Sequence, residues 1–554
     1  MAKRVSLGID FGTLSARAVY TDLRDGHEVA TAVGEYAHGV MTETLPDGTR
    51  IPPEAALQHP EDYLNSISEA VRKATAAGNI QPDEIAGIGI DFTADTSLPV
   101  DADNVPLCLK KEFKSEPHAW VKLWKHHSAV QEAEELQAAF EQHDPERLKY
   151  YGGHMFSEWM LPKLLETCRK AKPVIDAADR FLQAGDWLVS VLTGTTARSG
   201  CLASIKQMYT EAGYPDTNFL ASIDPALIRY PELVRGELLQ LGERAGVLNE
   251  RGAELLGLIP GIPVATAVLD AFAPMAGLGI TEPGDMMMTI GTSAGQMTLF
   301  EQLRDVDGIC TVAKDDVIPG WYGYEAGQSA MGDLFAWFTD RIAPSAVAAE
   351  AEARQMNIHQ VLTEKAAALH PGESGLLALD WWNGCRSPLM DMNLSGVLLG
   401  MTLDTKPEEI YRALIEATGF STRLIVDNYE KAGIPIRNIY ACGGISQKNP
   451  LLMQIYADIL NREFHVAASS QTAALGSAIY GATAAGSENG GYDTVAEAAA
   501  AMHCGVTAVY RPDPEAHAVY DRLYREYLRL VDLFGNVSDS MLTRLRTIRM
   551  ESLK

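Results

Sequence analysis

LGIDFGTLS, residues 7–15, and MMMTIGTSAG, residues 286–295, lie far apart in this chain but share one design. Each is an apolar strand that runs into a Gly-Thr turn, and the backbone N–H groups of such a turn can bind phosphate. A single turn would be weak evidence, because most turn glycines serve only a positive φ angle. Two matching turns favour two similar lobes, each of which presents one hairpin to a nucleotide.

The two turns differ in their side chains. The first brings a carboxylate, two hydroxyl groups and a guanidinium group together, on Asp10, Thr13, Ser15 and Arg17. Hydroxyl and guanidinium groups are strong donors to phosphate oxygens. The second turn offers only uncharged groups, on Gly291, Thr292 and Ser293. Both patterns are typical of a polyphosphate site.

The composition indicates a large enzyme of more than one domain. The chain has 554 residues, of which 47% are hydrophobic and 21% are charged, so it can bury at least two cores. Its net charge of −27 argues against nucleic acid and against anionic membranes as partners. Because the overall field repels anions, local donors such as Arg17, Lys206 and backbone amides must hold any phosphate ligand.

The cysteines and the first residues favour the cytoplasm. Seven cysteines are scattered singly, without a Cys-x-x-Cys pair, which predicts reduced thiols and no structural zinc. MAKRVSLGID, residues 1–10, runs straight into a strand without an apolar signal core. The longest apolar stretch, residues 473–485, is rich in Gly, Ala and Ser and is too short to predict a membrane span.

The order of predicted elements repeats in the two halves of the chain, and this favours an α/β fold built twice. Apolar periodicity predicts the strands and helices. In the first half they are strands at 5–9, 16–21, 29–36 and 85–91 and a helix at 63–77. In the second half they are strands at 285–290, 296–300, 309–313 and 439–441 and helices at 328–338, 407–432 and 450–460.

The domain boundaries follow from Pro and Gly positions. GLIPGIP, residues 257–263, interrupts helix and strand alike, so we predict domains at 1–258 and 259–505. Residues 506–554 form a predicted C-terminal helical segment. Its stretch 518–534 carries an apolar helical stripe, which predicts a helix packed on the protein's own core more strongly than a partner-binding helix.

These motifs, together with AVLDAFAPMAGLG (267–279) and ACGGISQKNPLLMQIYADIL (441–460), resemble the FGGY carbohydrate kinases from about Val5 to Leu530. The resemblance implies an α/β protein with two actin-like, ribonuclease-H-like domains that flank an ATP and sugar cleft. Longer strings resemble the members that phosphorylate L-ribulose: DFTADTSLPVDADN, LWKHHSAVQEAEE, YYGGHMFSEWMLPKLLE, VIPGWYGYEAGQSAMGDLFAWF and LDWWNGCRSPLMD.

The implied reaction is the phosphorylation of L-ribulose to L-ribulose 5-phosphate in L-arabinose catabolism, with ATP and Mg²⁺. Family members that act on glycerol carry an Arg-Glu pair after the strand that here ends in Asp91. Phe92, Thr93 and Ala94 stand there in this chain, which disfavours glycerol. Two alternatives stay open: a kinase for another pentulose or polyol, such as D-ribulose or xylulose, and an actin-like ATP or sugar sensor that transfers no phosphoryl group.

The resemblance assigns the two aspartates different roles. Asp270 is the expected general base, which accepts the proton of the attacking sugar hydroxyl. The competing interpretation is a surface or helix-capping aspartate. Asp10 is expected beside Mg²⁺, through water, and its competing interpretation is a turn-forming residue before Phe11 and Gly12.

The remaining expected contacts also come from the resemblance. The phosphate contacts are Thr13, Ser15, Arg17, Gly291 and Thr292, and the adenosine contacts are Gly332, Gly443, Gly444 and Asn449. A plain turn is the alternative for the Gly443-Gly444 pair. The sugar contacts are Ala94, Lys206, Glu325 and Asp270, with Trp124 as either a wall of the sugar site or a core residue. The family also implies a homodimer.

Overall fold

The computed structural model describes residues 4–535 and 540–552, and these form two compact units. The first unit comprises residues up to 282, 311–323 and 471–504. The second comprises 283–310, 324–470 and the residues from 505 onward. The chain therefore returns to the first unit twice after it has entered the second. The segment 257–263 lies inside the first unit, and the domain boundaries drawn from the sequence stay a prediction.

The strands, in chain order, are β1 Val5–Phe11, β2 Ser15–Asp22, β3 Glu28–Glu35, β4 Leu57–Gln58, β5 Ile85–Phe92, β6 Ser97–Val100, β7 Val121–Lys122, β8 Arg180–Gln183, β9 Arg198–Ser199, β10 Leu238–Leu239, β11 Arg244–Val247, β12 Pro263–Ala265, β13 Val268–Leu269, β14 Asp285–Ile290, β15 Ala294–Phe300, β16 Thr311–Lys314, β17 Tyr322–Gln328, β18 Leu377–Leu379, β19 Val397–Leu399, β20 Asn438–Cys442, β21 Phe464–Ala467 and β22 Val506–Tyr510.

The α-helices are α1 Pro60–Gly78, α2 Val130–His143, α3 Pro145–Lys149, α4 Met160–Lys170, α5 Lys172–Ala177, α6 Ala184–Thr193, α7 Gly200–Lys206, α8 Thr217–Ile223, α9 Tyr230–Leu233, α10 Glu250–Leu256, α11 Ala273–Gly277, α12 Gly332–Trp337, α13 Ser345–Ala353, α14 Ile358–Ala367, α15 Pro407–Lys431, α16 Gly444–Lys448, α17 Pro450–Leu460, α18 Thr472–Ala485, α19 Val495–Met502, α20 Pro514–Phe534 and α21 Met541–Ser552. Among the described residues, no helix has both the length and the apolar character that crossing a membrane requires.

The main sheet of the first unit has the strand order β11-β12-β5-β1-β2-β3, with β13 also paired to β5. β1 pairs antiparallel with β2 and parallel with β5. Every residue of β5 is buried, as expected for a strand covered on both faces. Helix α1 packs on this sheet through the apolar face that contains Ile67, Val71 and Ala74, and it ends at Asn79, whose φ of 48° is left-handed.

The second unit repeats this arrangement. Its sheet runs β17-β15-β14-β20-β21-β22, and β14 pairs antiparallel with β15 and parallel with β20. β14 thus has the same neighbours as β1: one hairpin partner and one parallel strand. The mixed α/β fold with an internal repeat, predicted from the order of elements, is confirmed.

Helix α18 lies on β1 and β5 of the first unit without intervening side chains. A Cβ atom on Gly8 would overlap the carbonyl oxygen of Ala474, and one on Gly89 would overlap that of Ser477. Close approach of two backbones is a recognised reason for glycine inside a strand. Residues 473–485, the longest apolar stretch of the sequence, are therefore a core helix.

The helix predicted at 328–338 and the C-terminal segment differ most from the structure. The helix predicted at 328–338 begins only at Gly332, because Gln328 is the last residue of β17. Its buried amide bonds to Gln296, Thr422 and Asp380, so tertiary hydrogen bonds outweigh local helix propensity there. The segment after residue 505 also contains a strand, β22, before its helices. The packing helix predicted at 518–534 is confirmed, with Tyr520, Tyr524, Tyr527 and Val531 buried.

Candidate active site

The turn between β1 and β2 is closed by a hydrogen bond from the Gly12 N–H to the Ser15 carbonyl, 3.0 Å long. Gly12 does not have a positive φ angle, and a Cβ atom there would meet nothing closer than 3.5 Å. The turn conformation therefore does not require glycine at this position. The absence of a side chain leaves the turn backbone open to a ligand.

Three carboxylates lie at the carboxyl ends of adjacent parallel strands in the first unit. Asp10 of β1 stands in register with Asp91 of β5, and Asp270 follows β13, which also pairs with β5. The N–H of Asp270 donates to the Phe92 carbonyl at 3.0 Å. Ligands of open α/β sheets bind at this edge of the sheet.

Asp91 is the buried member of this group. Burial raises its pKa well above the usual range, and the charges of Asp10 and Asp270 raise it further. Ser477 of α18 donates a hydrogen bond of 2.6 Å to it, which opposes these effects. Asp10 pairs with Arg17 at 3.5 Å, and 19% of its side chain is exposed. This edge of the sheet thus places the partly exposed carboxylate of Asp10 beside two other carboxylates.

Two competing interpretations do not fit the structure: Asp10 as a turn residue and Asp270 as a helix cap. Asp10 lies within β1 and forms no part of the turn. The residue that caps α11 is Phe272, so Asp270 is not a helix cap. Instead, the Asp270 Oδ1 atom accepts the N–H of Ala271 at 2.7 Å, which fixes the orientation of the carboxylate.

Trp124 connects the predicted sugar contacts to the predicted phosphate contacts. Its indole Nε1–H donates to the Thr13 hydroxyl at 3.1 Å, and 39% of the residue is exposed. This exposure excludes the alternative of a core tryptophan. The carbonyl of Thr13 accepts a second hydrogen bond, from the Gln58 amide at 2.7 Å, so the first turn is held on both sides.

Lys163 of α4 joins the two loops that carry Ala94 and Trp124. Its fully buried ammonium group donates to the carbonyls of Asp95 and Leu123, each at 2.8 Å. Burial lowers the pKa of Lys163 to about 7. No local pattern in the sequence predicts this role, because each loop neighbours Lys163 only in three dimensions.

A buried carboxylate supports the Trp124 loop from behind. Glu166 accepts hydrogen bonds from His126 at 3.2 Å and from Ser128 at 2.7 Å. Lys170 is paired with the same carboxylate at 3.1 Å. Burial lowers the pKa of His126 to about 4, so the imidazole is neutral at pH 7. A satisfied polar network of this kind rigidifies the loop it holds.

Lys206 is the last residue of α7, and 18% of its side chain is exposed. Its Nζ lies 3.9 Å from Oδ2 of Asp95. Asp95 follows Ala94 and has a φ of 48°, a left-handed conformation that is uncommon for a residue with a side chain. Asp95 was not predicted from the sequence, although it stands one residue beyond the predicted contact Ala94.

In the second unit, the turn between β14 and β15 is built like the first one. The N–H of Gly291 donates to the Ser293 carbonyl at 3.0 Å. The carbonyls of Gly291 and Thr292 accept the N–H groups of Gly332 and Met331, at 3.0 and 2.9 Å. This brings the start of α12 against the turn. A Cβ atom on Gly332 would come within 2.8 Å of the Gly291 carbonyl.

A cavity of about 840 Å³ opens beside this turn within the second unit. Gly291, Gly332, Gly444 and Asn449 line it, as four of the six predicted ATP contacts of this unit. Thr292 and Gly443 are not part of the lining but adjoin residues that are. The cavity volume is within the range for small-molecule and cofactor sites. Side chains that the sequence did not indicate complete the wall, among them Phe335, His359, Tyr411 and Lys448.

The two adjacent glycines after β20 serve different purposes. Gly443 has a φ of 96°, and a Cβ atom there would lie 2.5 Å from the Ile290 carbonyl, so the fold requires glycine. Around Gly444, by contrast, a Cβ atom would meet nothing within 4 Å, and its φ is not left-handed. Gly444 therefore keeps a part of the cavity open that the protein itself does not fill.

Glu325 lies in β17, and the part of the strand that contains it belongs to the second unit. It is half-buried, and its carbonyl accepts the N–H of Cys310 at 2.7 Å. The other expected sugar contacts, Ala94, Trp124, Lys206 and Asp270, all belong to the first unit.

Two family models match the chain. The N-terminal domain of the FGGY family of carbohydrate kinases matches residues 5–277, and the C-terminal domain of the same family matches residues 286–485. Close relatives are named ribulokinase. That of Geobacillus thermodenitrificans is 47% identical over 99% of this chain and 97% of its own length. That of Halalkalibacterium halodurans is 47% identical over 99% of this chain and 98% of its own.

Solved structures show the same fold. The xylulose kinase from Rhodospirillum rubrum superposes with a TM-score of 0.78 over 95% of this chain and 98% of its own, at 22% identity. The two sheets, the paired glycine turns and both family models therefore agree, and the chain belongs to the FGGY family of carbohydrate kinases, as an ATP-dependent sugar kinase.

Proposed function

We propose that this protein transfers the γ-phosphoryl group of ATP to L-ribulose and forms L-ribulose 5-phosphate, a step in the catabolism of L-arabinose. The observation that carries the proposal is 47% identity to proteins named ribulokinase over nearly the whole chain. At that identity, with almost no part of the chain unmatched, a change of substrate class is not expected.

Asp270 is the proposed general base. It accepts the proton of the sugar's 5-hydroxyl group as that oxygen bonds to the γ-phosphorus, while the bond from the γ-phosphorus to the bridging oxygen breaks and ADP leaves. Its fixed orientation and partly open position at the carboxyl edge of the sheet support this role.

The proposed phosphate contacts are the first turn, with Thr13, Ser15 and Arg17, and the second turn, with Gly291 and Thr292. Hydroxyl groups and bare backbone N–H groups suit a site that must release a charged product, and Arg17 is the one charged donor among these contacts. The cavity of the second unit would take the adenosine moiety, beside Gly332, Gly443, Gly444 and Asn449.

Asp10 is the proposed Mg²⁺ residue. Its chemistry fits, since magnesium prefers carboxylate oxygens and keeps several of its waters, and the Asp10 carboxylate is partly exposed. Bound Mg²⁺ would neutralise charge that develops on the phosphate oxygens. The side chain of Arg17, 3.5 Å away, holds the carboxylate in place.

A ketopentose presents hydroxyl groups and one carbonyl, so its site needs both donors and acceptors. Lys206 is the proposed donor, Glu325 and Asp270 are the proposed acceptors, and Ala94 leaves space and offers its backbone. Trp124 would form a wall of the site. We further propose that the protein is cytoplasmic, in keeping with six buried cysteines, and that it binds no nucleic acid, in keeping with a net charge of −27. The homodimer is proposed from the family resemblance.

A coupled ADP-release assay tests the substrate. Among L-ribulose, D-ribulose, L-xylulose, D-xylulose and ribitol, the highest kcat/KM is expected for L-ribulose. The reason is that epimers differ in the direction of one hydroxyl group, and a polar site rejects an analogue that leaves its groups unpaired. A higher kcat/KM for D-ribulose or a xylulose would show that the protein is a kinase for another pentulose. The absence of sugar-dependent ADP release would favour the alternative of an ATP or sugar sensor that transfers no phosphoryl group.

Substitutions of Asn449 separate its role as a helix cap from its proposed role as an ATP contact. Its side-chain oxygen caps α17 by accepting the N–H of Leu452 at 3.1 Å. Asn449→Ala removes the cap and is expected to lower the free energy of unfolding by about 1 kcal/mol. Asn449→Asp keeps the cap but adds a negative charge at the proposed ATP site, so stability is retained while the KM for ATP rises. Urea unfolding and steady-state kinetics measure both, and an unchanged KM in the aspartate variant would remove Asn449 from the ATP contacts.

A further inference from the structure

Asp95 is a buried carboxylate with an unusual environment. Only 1% of the residue is exposed. Among the described residues, neither of its carboxylate oxygens makes a hydrogen bond of good geometry. The nearest opposite charge is the Lys206 ammonium group, at 3.9 Å. Burying a carboxylate without strong partners is costly, so its presence requires an explanation.

The backbone of Asp95 is held from two directions. Its N–H donates to the Gln183 side chain at 3.1 Å, and its carbonyl accepts from Lys163 at 2.8 Å. With a left-handed φ of 48°, the residue keeps a conformation that a flexible loop would relax. The surroundings thus fix the place of the carboxylate relative to Lys206.

The carboxylate cannot itself be a major contact of the sugar. Its two oxygens are almost entirely covered, whereas Lys206 is partly open. The four-carbon side chain of lysine is flexible, so its ammonium group samples many positions unless another group holds it. The Asp95 carboxylate is therefore buried, and the Lys206 ammonium group lies between it and the solvent.

We propose that Asp95 is a positioning residue that holds the Lys206 ammonium group, charged and oriented, for the sugar. The proposal rests on the proposed function, in which Lys206 binds the ketopentose. The Asp95 carboxylate would also affect substrate selection, because an oriented ammonium donor forms a good hydrogen bond only with a hydroxyl group that points toward it.

The alternative is a purely structural role. The backbone N–H of Met160, at the start of α4, lies near enough to Asp95 to lower its pKa, so the carboxylate could serve α4 as a cap. Asparagine caps a helix about as well as aspartate but carries no charge. Asp95→Asn therefore removes the interaction with Lys206 and leaves the capping role.

The experiment compares Asp95→Asn, Lys206→Met and the double variant with the parent enzyme. Sugar binding is measured by titration calorimetry with L-ribulose alone, and kinetics by coupled ADP release. We expect each single variant to raise the Kd and KM for L-ribulose at least tenfold, with the KM for ATP within twofold and the thermal unfolding midpoint almost unchanged. The double variant should be no worse than the single ones, since both remove the same interaction.

Asp316→Asn is the matched control. Asp316 is another buried aspartate beside α7, hydrogen-bonded to Ser204, and burial raises its pKa to about 7, as it does for Asp95. Its substitution should leave the sugar KM within twofold. A parent-like sugar KM in Asp95→Asn, or effects that add fully in the double variant, would overturn the proposal.

The pH profile gives a readout that a cap would not affect. Burial raises the pKa of Asp95 to about 7, although the positive charges of Lys206 and Lys163 oppose this and Glu158 reinforces it. As the pH falls through 7, Asp95 gains a proton, its negative charge no longer acts on Lys206, and the sugar KM should rise. Lys163, whose pKa burial lowers to about 7, titrates over the same range in both proteins. The readout is therefore the difference between the two profiles: the rise should be smaller in Asp95→Asn, and a rise of the same size there would count against the proposal. If Lys206→Met alone binds sugar normally, the proposed role of Lys206 fails; if no pentulose is phosphorylated by the parent, the proposed function itself fails.

Discussion

Asp270→Asn is expected to abolish phosphoryl transfer while sugar binding is kept. The amide is close in shape to the carboxylate and its oxygen can still accept the N–H of Ala271, a bond of 2.7 Å in the structure. The amide cannot accept the proton of the sugar hydroxyl. General-base catalysis contributes about 10²–10⁴ in rate, so kcat should fall at least a hundredfold with the Kd for L-ribulose within a few fold. Coupled ADP release and calorimetry measure the two quantities.

Asp22→Asn is a suitable control for this variant. Asp22 is also an aspartate at the end of a strand of the first unit, but it pairs with Arg24 at 2.7 Å and belongs to no proposed contact. Its kcat should stay within twofold of the parent. If Asp270→Asn keeps a tenth or more of the parent rate, the base is another residue, and the other carboxylates of the same sheet edge, Asp10 and Asp91, become the candidates.

The order of elements and the two glycine turns could be predicted from the sequence, because both depend on local signals. An apolar run followed by Gly-Thr specifies a strand and a turn over fewer than ten residues. β14 ends at Ile290 as predicted, and β1 extends two residues beyond its predicted end, to Phe11. Asp270 could be placed at a strand end for the same reason, since Val268 and Leu269 precede it directly.

Residues that depend on contacts between distant segments could not be predicted in this way. Lys163 bridges the loops of Asp95 and Leu123, 68 and 40 positions away. Nothing in the sequence around α4 marks this lysine as buried. The wall of the cavity could not be predicted for the same reason, because Phe335, His359 and Tyr411 come from three different helices.

The return of the chain to the first unit was also invisible in the sequence. The composition of residues 473–485, rich in Gly, Ala and Ser, does not by itself predict a helix of the first unit. The small residues of α18 make sense once it lies on β1 and β5, where Gly8, Gly87 and Gly89 face the helix backbone. The glycines of these strands meet the helix backbone across 388 to 466 positions of sequence, and no local pattern predicts such a contact.

Gly89→Val is expected to prevent folding of the first unit. A Cβ atom at this position would overlap the carbonyl oxygen of Ser477, and the amide nitrogen of Gly481 would lie 2.9 Å away. Because both obstacles are backbone atoms, α18 would have to move away from β5 as a whole. Overpacking of a core typically costs about 1–3 kcal/mol where side chains can yield, so a larger loss is expected here. The yield of soluble protein and the thermal unfolding midpoint measure it.

The same substitution would reach the candidate active site. Asp91 stands two residues after Gly89 and accepts the hydroxyl of Ser477 at 2.6 Å, so displacement of α18 removes the hydrogen bond that holds this buried carboxylate beside Asp10. Gly89→Ala adds the same Cβ atom without the further methyl groups of valine. If this smaller variant folds, it should lose more activity than its loss of stability alone accounts for. Gly444→Ala is the control, since a Cβ atom there meets nothing within 4 Å, and its unfolding midpoint should match the parent. If Gly89→Val unfolds within about 2 °C of the parent, α18 does not pack on β5 in this way, and the support of Asp10 through Asp91 loses its basis.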